Sequence, residues 1–424
     1  MRDTIAQLLA FQVTELGHRR SGTEQADRLL RYLMDRASEL GLACRITESP
    51  LQVVEPKRHR LVVGDRTFRS LPYYGCPPFV PYPQSFEVEA PLALADRDSV
   101  EGRITVVAWD RPDFLLSLLD LQARGCTGVV LGCWRDADDM LLAPQSPVLL
   151  SGLERISELR IPVVGVSGHT ASVLRQMAPQ RATLEVEVEV GRSNARHLTI
   201  YDANACTPPR IRVAAHYDSA FEAADLPGAA DNASGVAAVF GALRQQALGA
   251  GLAGVEYVFY DAEEYNLFGS LDLLANVEAS LTSGSFAELY SALHDAAYKW
   301  TLRAVPPILV EIDSVGHGTR LTYGTNTPNA VRERLIEHQL GGSFERVTIS
   351  RDYGSIGLVA GRIGACHVVE THFLTCGDTR FAHTIHDDLR AVDLQCVVRV
   401  GEFLADWLTA LCQTTRAFVA PEAL

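Results

Sequence analysis

Five short segments in the second half of this 424-residue chain end in metal-binding side chains, and four of them follow an apolar run or open a helix. They are Ala-His-Tyr-Asp at 215–218, Ala-Asp-Asn-Ala-Ser-Gly at 230–235, Asp-Ala-Glu-Glu at 261–264, Glu-Ile-Asp-Ser at 311–314 and His-Thr-Ile-His-Asp at 383–387. Short apolar runs of this kind read as buried strands, and an α/β sheet presents its ligands at the carboxyl ends of such strands. The segments supply His216, Asp231, Glu264, Asp313 and His383, an imidazole and carboxylate set for two cations, and leave Glu263 over. The pattern restricts the chain to strands alternating with helices.

That alternation runs through the second half. Strands are predicted at 197–201, 211–215, 255–260 and 307–312, with helices at 232–248, 328–340 and 389–411. The expected fold class is α/β, a mostly parallel mixed sheet sandwiched by helices. Helices are also predicted at 2–16 and 22–40; in the second, Ala26, Leu29, Leu30, Leu33 and Met34 share one face, Ser21 to Glu24 open it and Gly41 closes it. A strand at 44–54 and a Pro-, Tyr- and Gly-rich crossing at 71–88 follow.

Beyond the crossing the style changes. Strands at 104–108, 127–131 and 161–166, helices at 113–124 and 169–177, and an alternating strand at 182–190 make a compact α/β unit. A length of 424 residues exceeds one ordinary hydrophobic core. The expected organisation is therefore a catalytic domain of residues 1–58 and 192–424 with residues 59–191 inserted as a smaller α/β domain.

Each ligand candidate has an ordinary reading by itself. His216 closes a strand, Asp231 could cap the next helix, and Glu263–Glu264 resembles a solvated turn. Directly after a buried strand, however, adjacent glutamates project in different directions, so one binds a cation while the other faces a bound water. Asp218, two residues beyond His216, is placed to accept the second imidazole N–H and fix the tautomer. Carboxylates with imidazole and no thiolate suit zinc rather than a Cys-rich structural site, and cobalt or manganese are expected to substitute.

In their joint order the five motifs resemble the zinc exopeptidases that include bacterial leucyl aminopeptidases, glutamate carboxypeptidase and glutaminyl cyclase. The resemblance covers residues 195–424 well and residues 1–50 loosely, through His18 to Thr23. It implies two zinc ions: one on His216, Asp231 and Glu264, the other on Asp231, Asp313 and His383, with Asp231 bridging. It further implies Glu263 as general base, Asp218 as its catalytic partner at His216, and a cis peptide bond at Asp231–Asn232. His386 is the weaker alternative to His383. Three positions depart from the family: Ala382 replaces a Tyr found in some relatives, Tyr353 follows Asp352 where a His is common, and the stretch between Ser270 and Asp313 is long. Residues 59–191 resemble a protease-associated domain, through Glu101 to Ile104, Ala123 to Val130 and Ile161 to Val164.

The implied activity is release of N-terminal residues from peptides by a dizinc aminopeptidase. Carboxypeptidase or dipeptidase action is the main alternative, with Arg351 and Arg380 as a candidate clamp for a free carboxylate. Glutaminyl cyclase and a non-catalytic receptor-like relative are further alternatives. A formal net charge of −14 argues against a nucleic-acid partner. No apolar run approaches the roughly 20 residues of a membrane helix, so no membrane partner is expected; a homo-oligomer is open. The start lacks a leader-like apolar stretch, which makes a cytoplasmic location the expectation, with secretion open if a leader was trimmed. Nine widely spaced cysteines without C-x-x-C read as reduced thiols, Cys366 and Cys376 being the pair placed for a local bridge.

Overall fold

The computed structural model describes residues 1–109, 114–133, 135, 144–146, 152–221, 226–249, 251–252, 254–282, 284–295, 298–317, 320–326, 346–350, 354–376 and 381–417. The helix expected at 328–340, Tyr353, and the clamp candidates Arg351 and Arg380 lie outside the described residues. The chain divides into two compact units, one of residues 1–49, 195–277 and 299–424, the other of residues 50–194 and 278–298.

The sheet of the first unit is built on four parallel neighbours. Strand Ile211–His216 lies between Val255–Tyr260 and Ile308–Ile312, and Ile308–Ile312 pairs in turn with Glu370–Thr375. All three strands that precede ligand candidates are buried along their whole length, which explains why they read as continuous apolar runs rather than alternating ones. Two antiparallel pairings, at Leu198↔Phe259 and Tyr323↔Leu374, make the sheet mixed. The sheet packs into one core with helices Arg2–Ala10, Glu24–Glu39, Gly235–Leu248 and Leu394–Ala417.

Helix Glu24–Glu39 buries Ala26, Leu29, Leu30 and Leu33 as their spacing requires, while Met34 is only partly buried. Its start is capped by Thr23, whose hydroxyl accepts the Ala26 N–H at 3.4 Å. The last helix begins at Leu394 rather than 389, because residues 389–391 form a separate 3-10 turn and Asp393 accepts the Gln395 N–H at 2.9 Å. The helix expected from 232 begins at Gly235, since Asp231 and Asn232 have non-helical backbone angles.

The second unit has its own core, built from Leu92, Ile104, Val130, Val164 and Leu184 among others. Strands Gln84–Leu94, Ile104–Trp109, Gly128–Cys133 and Val163–Val166 run parallel in that order. Residues 278–298 also belong to this unit and supply helix Phe286–His294 and all but the first residue of helix Val277–Leu281. The strands expected at 182–190 and 197–201 are one strand, Arg181–Tyr201.

Cys366 is exposed and its sulfur accepts from Asn326 at 3.3 Å, whereas Cys376 is buried beside Cys396. The local Cys366–Cys376 bridge is therefore not what the fold favours; the helix Leu394–Ala417 brings a different cysteine to Cys376.

Candidate metal centre

Register places the site. His216 is level with Tyr260 on the neighbouring strand, and Ala214 is level with Glu311 on the other side. His216, the loop 261–264 and Asp313 consequently leave the same edge of the sheet, at the carboxyl ends of parallel strands. Three residues there hold left-handed backbone without being glycine: Ala262 at φ 58°, Ser314 at φ 51° and His383 at φ 59°. Such residues cost about 1–3 kcal/mol each and collect where a site dictates the geometry.

Two overlapping groups of donors result. His216, Asp231 and Asp313 each offer an atom within 4.8 Å of the others, and so do Asp231, Glu264 and His383. His216 Nε2 lies 3.3 Å from Asp231 Oδ1 and 3.3 Å from Asp313 Oδ1. His383 Nε2 lies 2.8 Å from Glu264 Oε2 and 3.8 Å from Asp231 Oδ2. Asp231 thus turns one oxygen to each group, as a bridging carboxylate must. The grouping differs from that implied by the resemblance, which paired Glu264 with His216 and Asp313 with His383. Strand order does not by itself choose the grouping, because the strands before Glu264 and before Asp313 both flank that of His216. The choice is made beyond the strand ends, where Asp313 meets His216 and Glu264 meets His383.

Asp218 orders this edge. Its Oδ1 accepts the backbone N–H of Glu263 at 3.2 Å and its Oδ2 that of Glu264 at 3.1 Å. The same carboxylate lies 3.4 Å from His216 Nδ1, which leaves Nε2 for the donor group. Asp218 is therefore a positioning residue for three others. Asp387 does the same for the bridge, accepting the N–H groups of Ala230 at 2.7 Å and Asp231 at 3.0 Å. Asn232 ties the bridge to the Asp313 loop, accepting from Gly235 and Ser314 and donating to the Ile312 carbonyl. Gly235 has no room for a side chain, because a Cβ would collide with Asn232 Oδ1 and the Ile312 carbonyl. The Asp231–Asn232 peptide bond is cis.

The function of Arg19 was not legible in the sequence, although the residue lies in the quoted segment 18–23. Its buried guanidinium donates to the carbonyls of Tyr217 (3.0 Å), Gly17 (3.1 Å), Pro227 (2.6 Å), Gly228 (2.9 Å) and Gln12 (3.4 Å). It thereby pins the loops carrying Asp218 and Asp231. Burial lowers its pKa to about 10 despite the nearby carboxylates of Asp387, Asp218, Asp231 and Glu264. A single Arg among 36 carries no such signal in sequence.

The electrostatics call for cations. Burial pushes Glu264 up to about 8, opposed by His383 and reinforced by Asp231. Burial also raises Glu263 well above the usual carboxylate range; His216 opposes this, and Glu264, Asp313 and Asp231 add to it. Burial by itself would lower His216, yet Asp313, Asp218 and Asp231 outweigh it and raise the imidazole. Glu264 Oε1 is buried without a hydrogen-bond partner among the described residues. A cation bound here would offset the clustered carboxylates and satisfy the orphan oxygen. The donor set of imidazole nitrogen and carboxylate oxygen, three per group, fits zinc with positions left over for other ligands. A cavity of about 570 Å³ at the opposite end of the strands, lined by Tyr201, Arg212, Glu256 and Pro307, contains none of these groups.

Residues 199–296 match the model of peptidase family M28, a span that contains His216, Asp218, Asp231, Glu263 and Glu264. No curated protein sequence matches the chain. Among solved structures it is similar to a zinc aminopeptidase from Bacillus subtilis, at 17% identity and TM-score 0.70 over 97% of this chain and 95% of that one. It is also similar to an aminopeptidase from Aneurinibacillus sp. strain AM-1, at 18% identity and TM-score 0.62 over 96% and 93%. A peptidase M28 precursor from Shewanella amazonensis matches at 16% identity and TM-score 0.63 over 96% and 92%. The fold is that of these enzymes, and the resemblance of the motifs to zinc exopeptidases agrees with the M28 segment.

Proposed function

We propose that this chain, with its peptidase family M28 segment, is a dizinc aminopeptidase that hydrolyses the first peptide bond of substrates with a free N-terminus. The observation that carries the reading is the pair of donor groups sharing Asp231, with Glu263 beside them. His216, Asp231 and Asp313 would hold one zinc, and Asp231, Glu264 and His383 the other. Bound there, the two ions would polarise the scissile carbonyl and lower the pKa of a water from 15.7 to about 7.

The chain's own residues supply the rest. Glu263 accepts the proton of the attacking water on its carboxylate and returns it to the leaving amine, a role typically worth about 10² to 10⁴-fold. Asp218 fixes the Glu263 and Glu264 backbones, so that the base and the ligand beside it keep their separation. Asp387 and Arg19 hold the loops on either side of the bridge. Carboxypeptidase action would require a cationic clamp for a free carboxylate, and its candidates Arg351 and Arg380 lie outside the described residues.

The insertion of residues 59–191 is proposed as protease-associated-like; the parallel order of Ile104–Trp109, Gly128–Cys133 and Val163–Val166 supports that reading. Nine free thiols fit a cytoplasmic setting. Among the described residues no helix is long and apolar enough to cross a membrane.

The test is a panel of fluorogenic aminoacyl amides, each with its N-acetylated counterpart, run on zinc-loaded and chelated protein. Release from the free amines alone, lost with chelator and restored by zinc, is expected. Equal turnover of acetylated and free substrates would defeat the aminopeptidase assignment.

A further inference from the structure

Two buried cysteines stand at the base of the segment that carries His383. Cys376 directly follows strand Glu370–Thr375, and its N–H donates to the Ser314 carbonyl at 3.1 Å, next to Asp313. Cys396 lies in the first turn of helix Leu394–Ala417. Their sulfurs are 3.1 Å apart across a sequence separation of 20 residues, and both side chains are fully buried. The intervening chain includes His383 and Asp387, the residue that holds the Asp231 backbone. No disulfide involves any of the nine cysteines.

Defined contacts hold the two sulfurs in place. The Cys376 sulfur also lies 3.1 Å from the His317 carbonyl and 3.0 Å from that of Arg320, so its S–H has acceptors on three sides. The contact with Cys376 and a hydrogen bond from Arg399 lower the Cys396 thiol against the effect of burial. The Cys376 thiol is pushed the other way, first by the contact with Cys396 and then by burial. With the sulfurs 3.1 Å apart, each is positioned to trap a sulfenic acid formed on the other, and Arg399 lies on the Cys396 side. A disulfide bond is about 2.05 Å long, so closure requires an approach of about 1 Å.

We propose that Cys376 and Cys396 are a peroxide-oxidisable dithiol whose disulfide staples the base of the segment bearing His383 and Asp387. The Cys396 thiolate attacks one oxygen of hydrogen peroxide, the O–O bond breaks, and hydroxide leaves to become water. The resulting sulfenic acid is attacked by the Cys376 sulfur; its S–O bond breaks, and the hydroxyl departs as a second water with the Cys376 proton. Two thiols are oxidised by two electrons and one peroxide is reduced to two waters. Formation of the bond stands on the sulfur geometry; its effect on metal rests on the reading of His383 as a ligand. Fixing both ends of this segment holds His383 against withdrawal and slows loss of the ion it binds.

The experiment uses the full zinc-loaded chain exposed to graded hydrogen peroxide, quenched in acid, blocked with N-ethylmaleimide and mapped by mass spectrometry. A peptide joining Cys376 to Cys396, two hydrogens lighter than its parts and lost on treatment with dithiothreitol, is expected. Zinc transfer to a chromogenic chelator is then timed for the oxidised and the dithiothreitol-reduced protein. Oxidation should slow the more labile ion about five-fold, well within what closing a loop of this size allows. Cys396→Ala should bind both ions and show neither peroxide effect; if it fails to fold, the reversible wild-type comparison decides alone. Absence of the joined peptide, or a dominant bridge to Cys366, overturns the dithiol even if zinc is bound. A joined peptide with unchanged zinc transfer overturns the staple. A joined peptide in a chain that binds no zinc upholds the dithiol and defeats the metal reading instead.

Discussion

Asp218→Asn tests the positioning argument with almost no change in shape. The native carboxylate gives one oxygen to the Glu263 N–H at 3.2 Å and the other to the Glu264 N–H at 3.1 Å. An asparagine has a single acceptor oxygen, so in either orientation one backbone N–H loses its partner and faces an amide NH₂. The Asp218 side chain is fully buried. A hydrogen bond to a charged group contributes about 1.5–3 kcal/mol, and one of two is lost. At 1.4 kcal/mol per factor of ten this is about 10 to 100-fold, the range expected when a group behind the metal ligands is changed. The assay is competitive zinc titration against a chelator of known affinity, paired with turnover of a free aminoacyl amide. Affinity should fall by that factor while the circular dichroism spectrum is unchanged. Zinc affinity and turnover both within two-fold of wild type would refute the reasoning, since the two N–H contacts would then carry no weight.

Glu263→Gln should keep both zinc ions and lose about 10² to 10⁴-fold in kcat, because it removes the proton acceptor and preserves volume; a fully active variant sinks the mechanism. Asp231→Ala should lose both ions in elemental analysis, as one carboxylate faces both groups. Arg19→Met leaves buried carbonyls without a donor, and its urea midpoint should correspond to a loss of about 3 kcal/mol or more; an unchanged midpoint removes Arg19 from the loop-pinning role. Folded pKa values are raised to about 6 at Asp261, about 7 at Asp387 and Glu311 and about 8 at Glu264, in each case first by burial. At these four groups the folded metal-free chain binds more protons than the unfolded chain above the ordinary carboxylate range near pH 4. They therefore make stability fall as pH rises from about 4 to about 8, with zinc opposing the trend, while His18 and His59, lowered first by burial, act the other way below their ordinary value of 6.5. Thermal unfolding of apo and zinc-loaded protein across pH 4–8 checks the sign.

The sequence by itself determined the strands and the donors at their ends, because both are local. A fully buried strand must be a continuous apolar run, and a ligand that follows it directly is placed by chain connectivity. His216, Glu264 and Asp313 were legible for that reason, and Asp231 and His383 through the motifs around them. Which donors come together in one group was not legible. Pairing His216 with Asp313, and Glu264 with His383, joins segments about 100 residues apart beyond the ends of strands that both flank that of His216, so it is set by tertiary packing. Arg19 and Cys396 stayed silent for the same reason. A guanidinium buried among backbone carbonyls and a thiol brought against Cys376 by a helix acquire their meaning only from what packing sets beside them. Local sequence dictates what a residue can do, whereas the enclosing structure, which removes water and selects partners, dictates which of those things it does.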